Sequence, residues 1–248
     1  ANLSTLPETA PTGAKRLTEW LTLEGRRSSL VEWLGHCGDD SRIHGRFMGI
    51  GAWTGRMAHK APNQANIPSE FHGDPKSSVD EVKAKYDGQF RALWSVPEDS
   101  WLVGTDAEGI QLRVLAHLMK SEEYVHAIVS GKKENETDIH NLNKKALGMS
   151  HVTRDDAKTF IYAFLFGAGD TKIGSIVGGK AKDGKELKAK FLKSFPALSK
   201  LQSKLRLDFE KSGGKAITAQ DGRKIQVDSP HKLLNYLLQG NEAILAKE

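Results

Sequence analysis

The sequence has a single cysteine and no long hydrophobic run, and these absences remove several classes of protein from consideration. Cys37 has no second cysteine with which to form an intrachain disulfide, and no cysteine cluster is available for a zinc site. No apolar stretch approaches the ~20 residues that a membrane-crossing helix needs, and no charged and then apolar leader opens the chain. The sequence therefore predicts a protein of the reducing cytoplasm.

The composition is that of a globular chain with a mild excess of positive charge. Of the 248 residues 38% are hydrophobic, and 36 lysines and arginines against 31 aspartates and glutamates leave a formal charge of +5. This apolar share is enough for a sizeable core, which excludes disorder over most of the chain. The positive excess permits a phosphate-rich partner without requiring one.

Helical periodicity dominates the chain, and extended segments are few. Helices are predicted at residues 17–34, 80–94, 110–119, 122–130, 138–147, 154–166, 185–195 and 197–211, and a last one begins at Pro230. The segment AITAQDGRKIQV predicts a hairpin around Asp221 and Gly222. Residues 43–68 are predicted to be short extended pieces broken by glycine and proline. The fold class is therefore α+β, with helix dominant.

A carboxylate follows the short apolar run WLVGT at residues 101–105. This run predicts a strand that ends at Asp106 and is followed directly by a helix. A carboxylate held rigidly at the end of a strand is suited to bind a divalent metal ion. Asp106 is equally suited to cap the helix that follows, and the spacing alone leaves both interpretations open.

Two cations and two aromatic residues form a stripe along the helix predicted at residues 154–166. Arg154, Lys158, Tyr162 and Phe166 are four residues apart, so each step turns by only ~40° around the helix. Cations that face phosphates and an aromatic surface for sugar and base are what a nucleoside triphosphate requires. The alternative is a solvated basic turn followed by an ordinary core stripe.

These stretches together closely resemble motifs A and B of the family A (DNA polymerase I-like) DNA polymerases, especially the replicative phage enzymes. Motif A is matched by DAEGIQLRVLAHL and motif B by RDDAKTFIYAFLFGAGD. Three further elements occur in the family's order: RIHGRFMGIGAWTGRMAHKAPNQANIP resembles the segment joining thumb to palm, DIHNLNKKALG the DIH element, and DGRKIQV with NYLLQG the return to the palm. The host cytoplasm is then the expected location if a phage encodes the protein.

The resemblance implies a helix-rich fragment of a right-hand polymerase, with the end of the thumb, part of the palm, the fingers and a small antiparallel palm sheet. The implied domains are a thumb remnant at 1–40, a palm segment with motif A at 41–118, fingers at 119–215 and a return to the palm at 216–248. The implied function is template-directed DNA synthesis on primer-template DNA, with deoxynucleoside triphosphates (dNTPs) as substrates.

The resemblance also implies a role for each matched residue. Asp106 and the carbonyl of Ala107 would bind Mg²⁺, while His140, Arg154 and Lys158 would hold the triphosphate. Lys158 would also act as the general acid toward the pyrophosphate leaving group. The remaining implied contacts are Tyr162 and Gln111 at the sugar and Arg56, Phe166, Asn235 and Gln239 at the DNA.

Two positions depart from the family pattern. The family usually has a glutamate where this chain has Gln111 and a tyrosine where it has Phe166. In the family those two side chains hydrogen-bond to each other beside the nucleotide sugar, so a carboxylate and the hydroxyl that satisfied it are both lost here. We expect discrimination between ribose and deoxyribose to persist in an altered form, with Gln111 as a steric block.

The chain lacks the His-Asp-Glu triplet that supplies the family's second metal-binding aspartate, motif C. The family's reaction uses two Mg²⁺ ions held between two carboxylates. We therefore expect a split or truncated polymerase that is inactive alone and needs a complementary chain carrying this motif. A natural split gene is the preferred interpretation, and a proteolytic or engineered boundary is its rival.

Two other functions remain open. A single-subunit RNA polymerase shares the fold and an Asp/Arg/Lys set, although Tyr162 lies where such enzymes are expected to have methionine. A non-catalytic subunit that binds DNA or nucleotide would keep the cationic stripe without the chemistry. A second polypeptide with His-Asp-Glu in the native complex would favour the split enzyme.

Overall fold

The computed structural model describes residues 9–75 and 77–247, which divide into two compact units. The first unit contains the described residues up to Gly51 together with Met57–Asp106. The second contains Ala52–Arg56 and the described residues from Ala107 onward. Among these described residues, no helix is long and apolar enough to cross a membrane.

The first unit is built on two helices and a small sheet. Helix α1 spans Thr12–Gly35 and helix α2 spans Ser78–Ala92. Strands β1 (Arg46–Met48) and β2 (Ala58–Lys60) pair in antiparallel fashion. Helix α1 confirms the predicted helix at 17–34 and continues through the glycine at position 25 without a break.

An aromatic cluster and a buried ion pair pack α1 against α2. The ring of Trp33 lies 5.7 Å from that of Phe90 and 5.1 Å from that of Trp94, both edge to face. Arg26 donates from Nε and Nη2 to the two oxygens of Asp87, at 2.8 and 2.9 Å. Asp87 is buried, and the bidentate pair satisfies its carboxylate there.

The strand predicted at residues 101–105 is wrong. The segment has no regular structure, and Trp101, Leu102 and Val103 are exposed, with 90% of the surface of Trp101 accessible. A strand needs a neighbour to pair its backbone groups, and within the described residues no strand pairs with this segment. The apolar side chains of this segment predicted that it would be buried, but it is exposed in this structure.

The second unit is mainly helical. Its helices are α3 Ile110–Met119, α4 Glu122–Val129, α5 Ile139–Leu147, α6 Arg154–Leu165, α7 Asp170–Ile176, α8 Ala181–Ser194, α9 Pro196–Lys211 and α10 Leu233–Leu245. The predicted helices are confirmed within a few residues at each end, and α3 has the predicted bounds. Helix α7 was not predicted because glycines surround and interrupt it, at positions 167, 169 and 174.

Phenylalanine rings packed edge to face hold α6 against α8. The ring of Phe191 lies 5.1 Å from Phe160, 5.3 Å from Phe164 and 5.0 Å from Phe195. These side chains are buried, with Phe160 and Phe191 fully so. One face of α6 is thereby fixed in the core, so its opposite face has a defined position for contacts with other groups.

The predicted hairpin is confirmed and lies against α10. Strands β3 (Ala216–Thr218) and β4 (Lys224–Gln226) pair in antiparallel register. Gly222 in the turn has φ of 86°, a conformation that glycine adopts without strain. A methyl group at Gly240 of α10 would collide with the end of the Ile225 side chain and come into van der Waals contact with the carbonyl of Thr54. This close approach places α10 beside the segment Ala52–Arg56.

Candidate functional site

The N-terminal end of α6 is set by a reciprocal cap. The hydroxyl of Thr153 accepts a hydrogen bond from the backbone N–H of Asp156 at 3.1 Å. The carboxylate of Asp156 accepts one from the backbone N–H of Thr153 at 2.9 Å. This capping box was predicted from the sequence, and it starts the helix at Arg154.

Arg154 is held by a carboxylate that the sequence interpretation did not single out. Asp138 accepts hydrogen bonds from the Arg154 guanidinium, including one from Nε at 3.1 Å. The same carboxylate caps α5 by accepting from the backbone N–H of Asn141 at 3.2 Å. One buried aspartate therefore joins the beginnings of α5 and α6.

The charges of this pair shift both pKa values. Burial alone raises the pKa of Asp138, but the hydrogen bonds from Arg154 and Asn141 outweigh burial and bring it below the usual value. The hydrogen bond to Asp138 raises the pKa of Arg154. Both groups are therefore charged across the neutral range.

His140 lies beside this pair on α5. Its ring centroid is 6.4 Å from that of Tyr162, and it is half-buried. Burial lowers the pKa of His140, and the positive charges of Arg154 and Lys158 lower it further. Its Nδ1 is buried and has no hydrogen-bond partner among the described residues. His140 is thus an uncharged imidazole whose Nδ1 is available for a hydrogen bond.

Lys158 and Tyr162 continue the stripe along α6. Lys158 is exposed, and within the described part of the chain no group forms a hydrogen bond or ion pair with its ammonium. Tyr162 is half-buried, and burial together with the nearby charge of Glu108 raises its pKa. Phe166, which follows the helix, is 46% exposed. The structure therefore brings His140, Arg154, Lys158 and Tyr162 together, with an unpaired cation at the surface.

A second polar cluster surrounds α10. The carboxylate of Glu242 accepts a hydrogen bond from the side-chain amide of Gln111 at 3.1 Å and another from the guanidinium of Arg56. Gln239 donates to Asn235 at 2.8 Å and accepts from Thr54 at 3.4 Å.

Four of the sequence-predicted residues are together here: Arg56, Gln111, Asn235 and Gln239. Glu242 was missed, although it lies one turn beyond Gln239 on the same face of α10. Gln111 is at the position where the resemblance implies a glutamate, and the structure places the carboxylate of Glu242, from another helix, beside it.

Asp106 and Ala107 lie where the two units meet in the chain. Asp106 is exposed, and the Ala107 carbonyl accepts a hydrogen bond from the Ile110 backbone N–H at 3.3 Å. Asp106 does not cap α3, because the N-cap position is Gly109 and no side chain caps it. Within the described residues no group of three or more His, Cys, Asp or Glu is arranged to hold a metal. The described residues therefore do not form a complete metal site by themselves.

The Arg154–Asp138 pair predicts a loss of stability in acid. Because the folded state depresses the pKa of Asp138, its contribution is present above the unfolded value of about 3.9 and is lost as pH falls through the lower folded value. We expect Asp138→Asn to lower the free energy of unfolding by about 2 kcal/mol at pH 7. The free energy of unfolding of this variant should also decrease less steeply as the pH is lowered. Urea unfolding from about pH 6 to about pH 2 measures both.

Asp155→Asn is the matched control for this prediction. The Asp155 carboxylate lies 3.8 Å from the same guanidinium but is 92% exposed, so its replacement is expected to change stability by less than about 0.5 kcal/mol. Parallel pH profiles for the wild-type protein and Asp138→Asn would contradict the assignment.

Comparison with known proteins gives consistent matches along the chain. Residues 1–242 match the sequence model of DNA polymerase family A. The chain is 37% identical over 258 residues to the DNA-directed DNA polymerases of Enterobacteria phage T3 and of Escherichia phage T7, covering 93% of this chain and 34% of each relative. It is 26% identical over 212 residues to DNA polymerase I of Helicobacter pylori, covering 83% of this chain and 22% of that protein.

A solved structure has a similar fold. The POL domain of Pol1 from M. smegmatis, in complex with DNA primer-template and dNTP, superimposes with a TM-score of 0.65 over 94% of this chain and 40% of that chain. At 19% identity this likeness supports the fold. The chain spans about a third of the length of the phage relatives that it matches.

Proposed function

Because the chain belongs to DNA polymerase family A, we propose that it carries out template-directed DNA synthesis, transferring deoxynucleotides to a primer 3′-hydroxyl. The proposed substrates are primer-template DNA and dNTPs, and these 248 residues are proposed to be the nucleotide-binding part of the enzyme. The observation that carries the proposal is the convergence of His140, at the start of α5, with Arg154, Lys158 and Tyr162, which follow one another along α6.

The charges of this group suit a triphosphate. Arg154 and Lys158 provide two cations one helical turn apart, and the pairing of Arg154 with Asp138 holds its planar guanidinium in one orientation. His140 is neutral and donates an N–H to a phosphate oxygen without adding charge. Lys158 is unpaired among the described residues, so its ammonium is available to give a proton to the departing pyrophosphate. Tyr162 lies against the sugar.

The polar cluster around α10 is suited to contact the base pair that the incoming nucleotide forms. Arg56, Asn235 and Gln239 bring donors and acceptors to one face of the second unit, which is what contact with the minor-groove edge of a new base pair requires. Gln111 blocks a ribose 2′-hydroxyl, and Phe166 contacts the DNA. A set of side chains that includes both hydrogen-bond donors and acceptors can contact any of the four base pairs.

The metal site is proposed to combine residues of this chain with a His-Asp-Glu segment, which these 248 residues do not contain. Asp106 and the Ala107 carbonyl would be this chain's ligands for Mg²⁺, and a His-Asp-Glu segment would bring the second carboxylate. Mg²⁺ held by these groups would supply a Lewis acid for the primer hydroxyl and positive charge for the triphosphate. The exposed run from Trp101 to Val103, which is separated from Asp106 by only Gly104 and Thr105, supports this proposal because an added strand would bury it.

Primer extension with Mg²⁺ tests the proposal. We expect no synthesis by the chain alone and synthesis from dNTPs when a polypeptide with His-Asp-Glu is added. Synthesis by the chain alone would contradict the shared metal site but not polymerisation. Failure of the folded mixture to extend any primer would overturn the proposed function, and equal use of ribonucleotides would favour an RNA polymerase.

A further inference from the structure

Glu242 joins three separate segments of the second unit through one carboxylate. It accepts from Gln111 of α3 at 3.1 Å and from Arg56 of the segment Ala52–Arg56, while it is itself part of α10. Its side chain is only 16% exposed. A carboxylate so placed interacts strongly with its donors because little water competes for it.

The chemistry of a carboxylate fixes the orientation of its partners. An ionised carboxylate only accepts hydrogen bonds, so the amide of Gln111 must turn its NH₂ group toward Glu242 and its carbonyl oxygen away. A neutral glutamine in place of Glu242 would both donate and accept, and Gln111 would then be free to flip. The negative charge also holds the guanidinium of Arg56, whose remaining N–H groups are available for other acceptors.

Glu242 continues a polar face on α10. Asn235, Gln239 and Glu242 follow one another at intervals of four and three residues, which places them on the same face of the helix. Gln239 contacts both Asn235 and Thr54, so this face lies along the segment that ends at Arg56. Arg56, proposed to contact the new base pair, and Gln111, proposed to exclude ribose, are therefore connected through Glu242.

We propose that Glu242 is a positioning residue for nucleotide selection, holding Gln111 toward the sugar of the incoming nucleotide and Arg56 toward the new base pair. This inference rests on the proposed polymerase function. Glu242 acts through these two side chains and does not itself contact the substrate. Selection between dNTPs and ribonucleotides at this site therefore depends on a carboxylate supplied by α10.

Glu242→Gln tests the inference because it keeps the shape of the side chain and removes its charge. We expect the ratio of kcat/KM for a dNTP to that for the matching ribonucleotide to fall by about tenfold. The change should come mainly from ribonucleotide KM, since Gln111 no longer has one orientation. The measurement uses primer extension by the chain with an added polypeptide that carries His-Asp-Glu.

Two further variants separate positioning from general damage. The exchange Gln111→Glu with Glu242→Gln restores one carboxylate and one amide to the pair, and we expect it to recover sugar selection lost in Glu242→Gln. Glu210→Gln makes the same charge change on α9, where Glu210 pairs with Arg206 at the surface, and should leave the ratio unchanged. A second, activity-independent readout is the coupling of Gln111→Ala and Glu242→Ala in urea unfolding.

The outcomes separate this inference from the proposed function. A Glu242→Gln protein that extends primers with an unchanged sugar ratio would overturn the positioning role alone, as would additive unfolding energies for the two alanine variants. A folded wild-type mixture that extends no primer would overturn the polymerase proposal and the role of Glu242 with it.

Discussion

Lys158→Ala is expected to slow nucleotide incorporation by about two to three orders of magnitude while leaving the protein folded. The side chain is exposed and has no hydrogen-bond or ion-pair partner in the described part of the chain, so its removal should change stability by less than about 0.5 kcal/mol. The expected loss is therefore one of chemistry, because the variant has neither a charge for the triphosphate nor a proton for pyrophosphate. Single-nucleotide incorporation, assayed with an added polypeptide that carries His-Asp-Glu, measures the effect.

Lys158→Arg divides the two roles of this lysine. Arginine keeps the positive charge but does not release a proton near neutral pH, so we expect KM for the dNTP to recover while kcat stays low. Lys200→Ala removes an exposed lysine from α9 and serves as the matched control, with incorporation unchanged. Full activity of Lys158→Ala would remove this residue from the proposed mechanism.

Asp106→Asn is expected to reduce incorporation by about a thousandfold or more, because the substitution removes a charge that would hold Mg²⁺. The amide keeps the size of the side chain, and Asp106 is exposed, so folding should be preserved. Binding of primer-template DNA in a gel-shift assay should also be preserved. Incorporation is measured across a titration of Mg²⁺, which should not rescue the variant.

Asp99→Asn is the control for this substitution. Asp99 lies in the same irregular part of the first unit, is exposed, and has φ of 65°, which asparagine also adopts readily. We expect its activity to equal that of the wild-type protein. If Asp106→Asn retains incorporation comparable to Asp99→Asn, then Asp106 is not a metal ligand.

Local rules predicted the parts of the candidate site that depend on neighbours in sequence. The pattern Thr153 to Asp156 predicted the capping box that starts α6, and Asp221-Gly222 predicted the turn of the hairpin. Both predictions are confirmed because the hydrogen bonds join residues only a few positions apart in the sequence. The strand at residues 101–105 failed for the complementary reason, since pairing requires a distant partner that local sequence does not specify.

Local rules did not predict the hydrogen-bond partners of the site residues. Asp138 is 16 positions from Arg154, and Glu242 is 131 positions from Gln111 and 186 from Arg56. Nothing in the spacing of these residues marks them as neighbours. Once α10 is known to pass beside residues 52–56, their contact follows from the geometry of one helix face.

The family of this protein, the cationic and aromatic stripe of α6 and most of its helices follow from the amino-acid sequence, because they depend on residue identity and local periodicity. Three features became visible only in the folded chain: Asp138 orients Arg154, Glu242 holds Gln111 and Arg56, and Trp101 is exposed. These outcomes depend on which segments pack together, and packing sums many weak contacts between residues far apart in the chain.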